Sequence, residues 1–147
     1  MTTAKKILDL ADKRLLEAQC LLDSYCPQGA YYLAGYVVEL TLKAHICKLL
    51  DIDDFYASTH IKRMSGVYFT HDLNQLLTLS GWRKRLEDEM GVAGADNLAL
   101  FRNWQLISQW SEHKRYEIAV SKLDTKEYLD ALTDPTNGFL TWAQRNW

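Results

Sequence analysis

Glu39 and Lys43 sit four residues apart in the stretch GAYYLAGYVVELTLKAH, residues 29–45, which is otherwise almost wholly apolar. Glutamate followed by lysine at that spacing is the favourable orientation for an ion pair within one helix. On a helical wheel their neighbours are Tyr32, Tyr36, Ile46, Cys47 and Leu50, while Thr41, His45 and Lys48 gather on the opposite side. Charges among apolar neighbours must be paired or hydrogen-bonded, because a lone buried charge is costly. Two readings follow: a mutual ion pair that anchors a neighbouring helix, or a polar site in a groove between helices.

Four histidines, His45, His60, His71 and His113, could give or take protons near neutral pH. Two basic runs, Arg83-Lys84-Arg85 and Lys114-Arg115, lie near Trp82, Trp110 and Tyr116 in the chain. They read first as a solvated face, and otherwise as a phosphate-and-stacking surface for RNA or nucleotide. Other chemistry lacks its residues. There is no HExxH and no Cys/His cluster at metal spacing. GVAGAD at 91–96 lacks the Lys-Ser/Thr of a phosphate loop. Asp51, Asp53 and Asp54 read as a solvated helix end, so neither metal nor cofactor is expected.

The elements that position these groups read as helices throughout. Leu8, Ala11, Leu15, Ala18, Leu22 and Tyr25 mark an amphipathic helix over about 4–25, with Thr2 or Thr3 as N-cap. Pro27 and Gly29 break the chain, and a second helix covers about 29–50. Residues 51–70 lose the period and read as a connector. Thr70 caps a short helix carrying Leu73, Leu76 and Leu77, which Gly81 interrupts before Trp82, Leu86 and Met90 resume the pattern. Asp96 or Asn97 starts a helix carrying Leu100, Phe101, Trp104, Ile107 and Trp110. Asp124 and Glu127 suggest a capping box for the last helix, which Pro135 kinks or restarts. With no alternating strand pattern, the expectation is one all-α domain over 1–147, a bundle of about five main helices.

Composition narrows the class further. The chain has 147 residues, is 48% hydrophobic and carries a formal net charge of −2, so no global basicity points to nucleic acid. No apolar run reaches the roughly 18 residues of a membrane span, and no leader pattern opens the chain. Three cysteines, Cys20, Cys26 and Cys47, form no CxxC pair and read as reduced packing residues, consistent with a cytoplasmic protein.

Taken in order, Tyr32, Tyr36, Glu39, Leu42, Lys43 and Ala44 resemble the second helix of the HEPN domains, the nucleotide-binding domains of prokaryotes and eukaryotes. Ala11, Arg14, Leu15 and Ala18 resemble that family's first helix. Thr70-His71-Asp72-Leu73 resembles its "HDL" helix start, and Trp110 with Arg115-Tyr116 its "W…RY" ending. The resemblance spans about 4–145, and Pro135 departs from it by breaking a usually continuous last helix. It implies binding residues at Glu39, Lys43, His71, Asp72, Arg115 and Tyr116, and a dimer; the basic runs themselves offer a patch of Arg83, Lys84, Arg85 and Lys114.

Many HEPN proteins are metal-independent ribonucleases whose motif is an arginine, four to six residues, then a histidine. Here the required positions hold Val38, Glu39 and Leu40 before His45, and Asp53, Asp54 and Phe55 before His60. They hold Met64, Ser65 and Gly66 before His71, and Leu106, Ile107 and Ser108 before His113. Arg63 precedes His71 with seven residues between. The resemblance therefore implies a non-catalytic binding module of a prokaryotic toxin–antitoxin or anti-phage defence system. Its expected partners are a nucleotidyltransferase-type protein, a nucleotide or RNA, and no membrane. The alternative is a divergent ribonuclease using His71 or His113 with Arg63 or Arg115. Self-pairing has its own warrant: Ala30, Ala34, Val37 and Val38 are surplus apolar surface, unless a last helix with Leu140 and Trp142 covers them.

Overall fold

The computed structural model describes residues 2–116 and 119–147, with Arg115 described in its backbone only. The chain is all-helical: the described residues contain no strand. In order come α1 (Ala4–Asp23), α2 (Pro27–Leu49), α3 (Thr59–Arg63), α4 (Ser65–Tyr68), α5 (Leu73–Leu79), α6 (Arg83–Met90), a 3₁₀ turn (Val92–Gly94), α7 (Leu98–Ser108), a second 3₁₀ turn (Glu112–Tyr116), α8 (Lys122–Thr133) and α9 (Phe139–Arg145). Nine α-helices among the described residues replace the expected five. The connector 51–70 holds two of the extra ones, each too short for an amphipathic period to show. Gly81, at φ 76, separates α5 from α6, and Pro135 separates α8 from α9. No helix among the described residues is long and apolar enough to cross a membrane.

Capping chemistry sets the helix starts. The Thr3 hydroxyl accepts the Lys6 amide at 3.3 Å and opens α1. Pro27 takes the first position of α2, where its missing N–H costs nothing, so Pro27 begins the helix rather than preceding it. Asp72, not Thr70, caps α5; Thr70 instead accepts the Asp72 amide at 3.1 Å. The capping box of α8 is Ser121 with Asp124, one turn earlier than Asp124 with Glu127.

The hydrophobic core forms around α2. It packs on α1, α5, α8, α9 and the Glu112–Tyr116 turn. Ala30, Ala34, Val37 and Val38, the surface that motivated the expectation of self-pairing, are buried within the one chain. At the start of α2 the cover is α8: Thr125 donates to the Pro27 carbonyl at 2.9 Å, and the Tyr31 and Tyr128 rings lie 4.9 Å apart. Farther along, Leu140 of α9 shares a groove with Val37 and Thr41. A folded chain thus satisfies this face without a second copy.

At the far end of α2, His45 stacks on buried Trp82 at 3.7 Å, and its Nδ1 lies 2.9 Å from the Ser80 carbonyl. Burial, reinforced by the charges of Lys48 and Arg85, lowers its pKa below the ordinary 6.5 despite the Ser80 hydrogen bond. The unfolded chain then binds the proton more readily than the folded one, so His45 withdraws stability as pH falls through about 6.5. Replacing His45 with glutamine should shrink the loss of urea stability between pH 7.5 and 5.5. An unchanged loss would mean that His45 does not titrate with folding.

Candidate functional site

Four ionisable side chains from three segments meet beside the middle of α2. Lys43 Nζ donates to Glu39 Oε1 at 2.7 Å, and both side chains are only 3% exposed. The other oxygen of Glu39 lies 2.8 Å from Nδ1 of His71. Nε2 of His71 lies 3.1 Å from Glu112. The result is a continuous chain, Lys43–Glu39–His71–Glu112, running from the core to the surface, where His71 and Glu112 are about one-third exposed, at 35% and 34%. In its imidazolium form His71 donates to both carboxylates; a neutral ring can donate to one only.

Local structure explains why each member is in place. One helical turn separates Glu39 from Lys43. His71 is held by the α5 start, where Asp72 Oδ1 accepts the Gln75 amide at 3.0 Å. Glu112 opens the 3₁₀ turn behind Trp110. Trp110 is docked against α2 at Gly35: a β-carbon there would lie 1.9 Å from the indole ring. The Tyr36 ring meets Trp110 edge-on at 5.2 Å and His71 at 6.0 Å. The Tyr32 and Tyr36 hydroxyls are hydrogen-bonded to each other at 3.1 Å. Burial first, then Tyr32 and the charges of Glu39 and Glu112, raise the Tyr36 pKa far above the ordinary phenol value. Tyr36 is therefore a neutral hydrogen-bonding group throughout the physiological range.

His71 faces two clefts. One, of about 520 Å³, is aromatic, walled by Tyr32, Tyr36, Tyr56 and Phe69 with Glu39 and Lys43 among its lining and Arg14 also contributing. The other, of about 430 Å³, is polar, lined by Asp72, Ser108, Ser111, Glu112 and His113. Among the described residues no group of three or more His, Cys, Asp or Glu is placed to hold a metal ion.

The expected site residues divide accordingly. Glu39, Lys43 and His71 come together. Asp72 is a helix cap on the polar cleft. His113 is exposed and shares that cleft with His71. Arg63 ends α3, is exposed, and lines neither cleft, so it is not brought to His71 as a cation for phosphate. The Arg115 side chain lies outside the described residues. Lys114 and Tyr116 belong to the Glu112–Tyr116 turn, Tyr116 being exposed. The Arg83-Lys84-Arg85 run lies on another element, α6, and its side chains are engaged by neighbouring residues. Arg83 donates to Asn74 and Thr78 at 2.6 Å and pairs with Glu87, Lys84 pairs with Asp88, and Arg85 reaches the Asn146 carbonyl.

Sequence reasoning missed Glu112, Tyr56, Phe69 and the Trp110–Gly35 contact. Gly35 carried a readable signal, since a glycine inside a helical run marks a close approach. Glu112 carried none. No family model matches the chain, and no match to it is found among curated proteins or solved structures.

Proposed function

We propose that this protein is a non-catalytic, HEPN-like binding module, engaging RNA, a nucleotide or a protein partner through the polar cleft and the adjoining Glu112–Tyr116 turn. The observation that carries this reading is the engagement of His71. Both its ring nitrogens lie against carboxylates, at 2.8 and 3.1 Å, so neither is open to a 2′-hydroxyl or a leaving oxygen unless Glu112 moves aside. General acid–base catalysis needs an open nitrogen, and the chemistry of RNA cleavage also needs a cation at the phosphate. Arg63 is not positioned to supply one, and the Arg115 side chain lies outside the described residues. Toxin–antitoxin or anti-phage defence context, with a nucleotidyltransferase-type partner, is supported by the sequence resemblance, and co-purification of the two proteins tests it.

The rival ribonuclease reading draws on one observation, that His71 and His113 line the same polar cleft. Incubating the purified chain with single-stranded RNA in EDTA separates the two. Intact RNA is the expected result. Cleavage that His71→Ala or His113→Ala abolishes would replace the binding module with an enzyme.

A further inference from the structure

Lys43 is buried at 2% exposure, yet among the described residues its ammonium meets one acceptor, Glu39 Oε1. An ammonium carries three protons, and leaving two unmet in a buried position is costly. Lys43 is part of the lining of the aromatic cleft. On the same wall the Tyr32 and Tyr36 hydroxyls share one hydrogen bond at 3.1 Å, which leaves one of their two protons without a partner among the described residues. Burial and the neighbouring carboxylates keep the Tyr36 phenol protonated. Two kinds of donor therefore line one cleft, together with aromatic rings and the side chains of Leu10, Leu33 and Leu40.

We propose that this cleft binds a small aromatic carboxylate, its carboxylate accepting from Lys43 and from the spare proton of the Tyr32–Tyr36 hydroxyl pair, and its ring packed against Tyr56 and Phe69. This site is separate from the polar cleft on the other side of His71 and does not depend on what binds there. Tyr56 and Phe69 already stack on each other at 5.5 Å and 29°, and Tyr56 is 44% exposed, so a flat face is open to a planar ring. A cleft of about 520 Å³ falls within the range of small-molecule sites.

The charge of the ligand follows from the site. An uncharged ring would leave the spare ammonium protons unmet. A phosphate ester brings nearly two negative charges and three acceptor oxygens. Against it stand one ammonium already shared with Glu39, and Glu112 one side chain beyond; Arg14, also lining the cleft, is shared with Glu17. A single carboxylate, with one charge, is the better match to cations that are each already paired with a glutamate. Glu39 does not oppose it strongly, because its two oxygens are engaged by Lys43 and His71.

Calorimetric titration of the full chain with indole-3-carboxylate, indole-3-carboxamide and a nucleoside 5′-monophosphate tests the proposal. The acid should bind at least about tenfold more tightly than the amide or the nucleotide, the difference that a charge-assisted hydrogen bond makes. Tyr56→Ala, at an exposed position that should not disturb folding, should weaken the acid at least about fivefold through lost stacking. Lys43→Met should erase the preference for acid over amide; if that variant does not fold, the acid–amide comparison on the native chain decides. Equal binding of acid and amide, tighter binding of the nucleotide, no heat from the acid up to about 5 mM, or an unchanged affinity in Tyr56→Ala would overturn the assignment.

Discussion

Replacing Glu39 with alanine is expected to destabilise the fold by about 3–5 kcal/mol, the usual cost of removing one partner of a buried ion pair. The substitution strands Lys43, an ammonium at 2% exposure whose one acceptor among the described residues is Glu39. It also removes the inner carboxylate from His71, which then keeps only Glu112. Lys43→Met should cost less, about 2 kcal/mol, because Glu39 retains a hydrogen bond to His71. The double variant Glu39→Leu with Lys43→Met should be more stable than Glu39→Ala alone, since no uncompensated charge remains and the volume is filled by apolar atoms. Urea denaturation of the single and double variants measures the coupling. Additivity within about 0.5 kcal/mol would show that the two charges do not depend on each other.

Gly35→Ala is the second large effect, and here two physical rules give opposite signs. Intrinsic helix propensity favours alanine over glycine by about 1 kcal/mol. The new methyl, however, would lie 1.9 Å from the Trp110 ring, far inside van der Waals contact. Trp110 is 2% exposed, and its ring packs against Tyr36 at 5.2 Å, so it cannot step aside freely. The steric term should win, giving a net loss of about 2–3 kcal/mol as for other overpacked cores. Near-ultraviolet circular dichroism should change with it, since the Trp110 environment is displaced. In a Trp110→Ala background the same substitution should become neutral or stabilising. A stabilising Gly35→Ala in the native background would mean that Trp110 is not seated on α2.

The sequence by itself determined the helical class, the central position of α2 and the Glu39–Lys43 pair, because all three are local. A 3.6-residue period separates faces, and a spacing of four brings two side chains onto one turn, wherever the helix is placed. The ends of helices were legible to within a turn, yet the cap itself was misassigned at α5 and α8. Asp72 and Thr70, or Ser121 and Asp124, are all capping residue types, and only the backbone geometry chooses among them. The breaks within residues 59–68 were invisible, since helices of four and five residues are shorter than the period that would reveal them. Everything that turns the pair into a site was decided by tertiary structure. His71 is 32 residues from Glu39 along the chain, and no spacing rule connects them. Glu112 and Trp110 reach α2 only because the turn after α7 folds back onto Gly35. The apolar face of α2 likewise offered the same pattern to a second copy or to α8, and packing within one chain filled it first. Closing a contact inside the chain costs loop entropy that grows slowly with length, whereas a second copy must also give up its free translation and rotation.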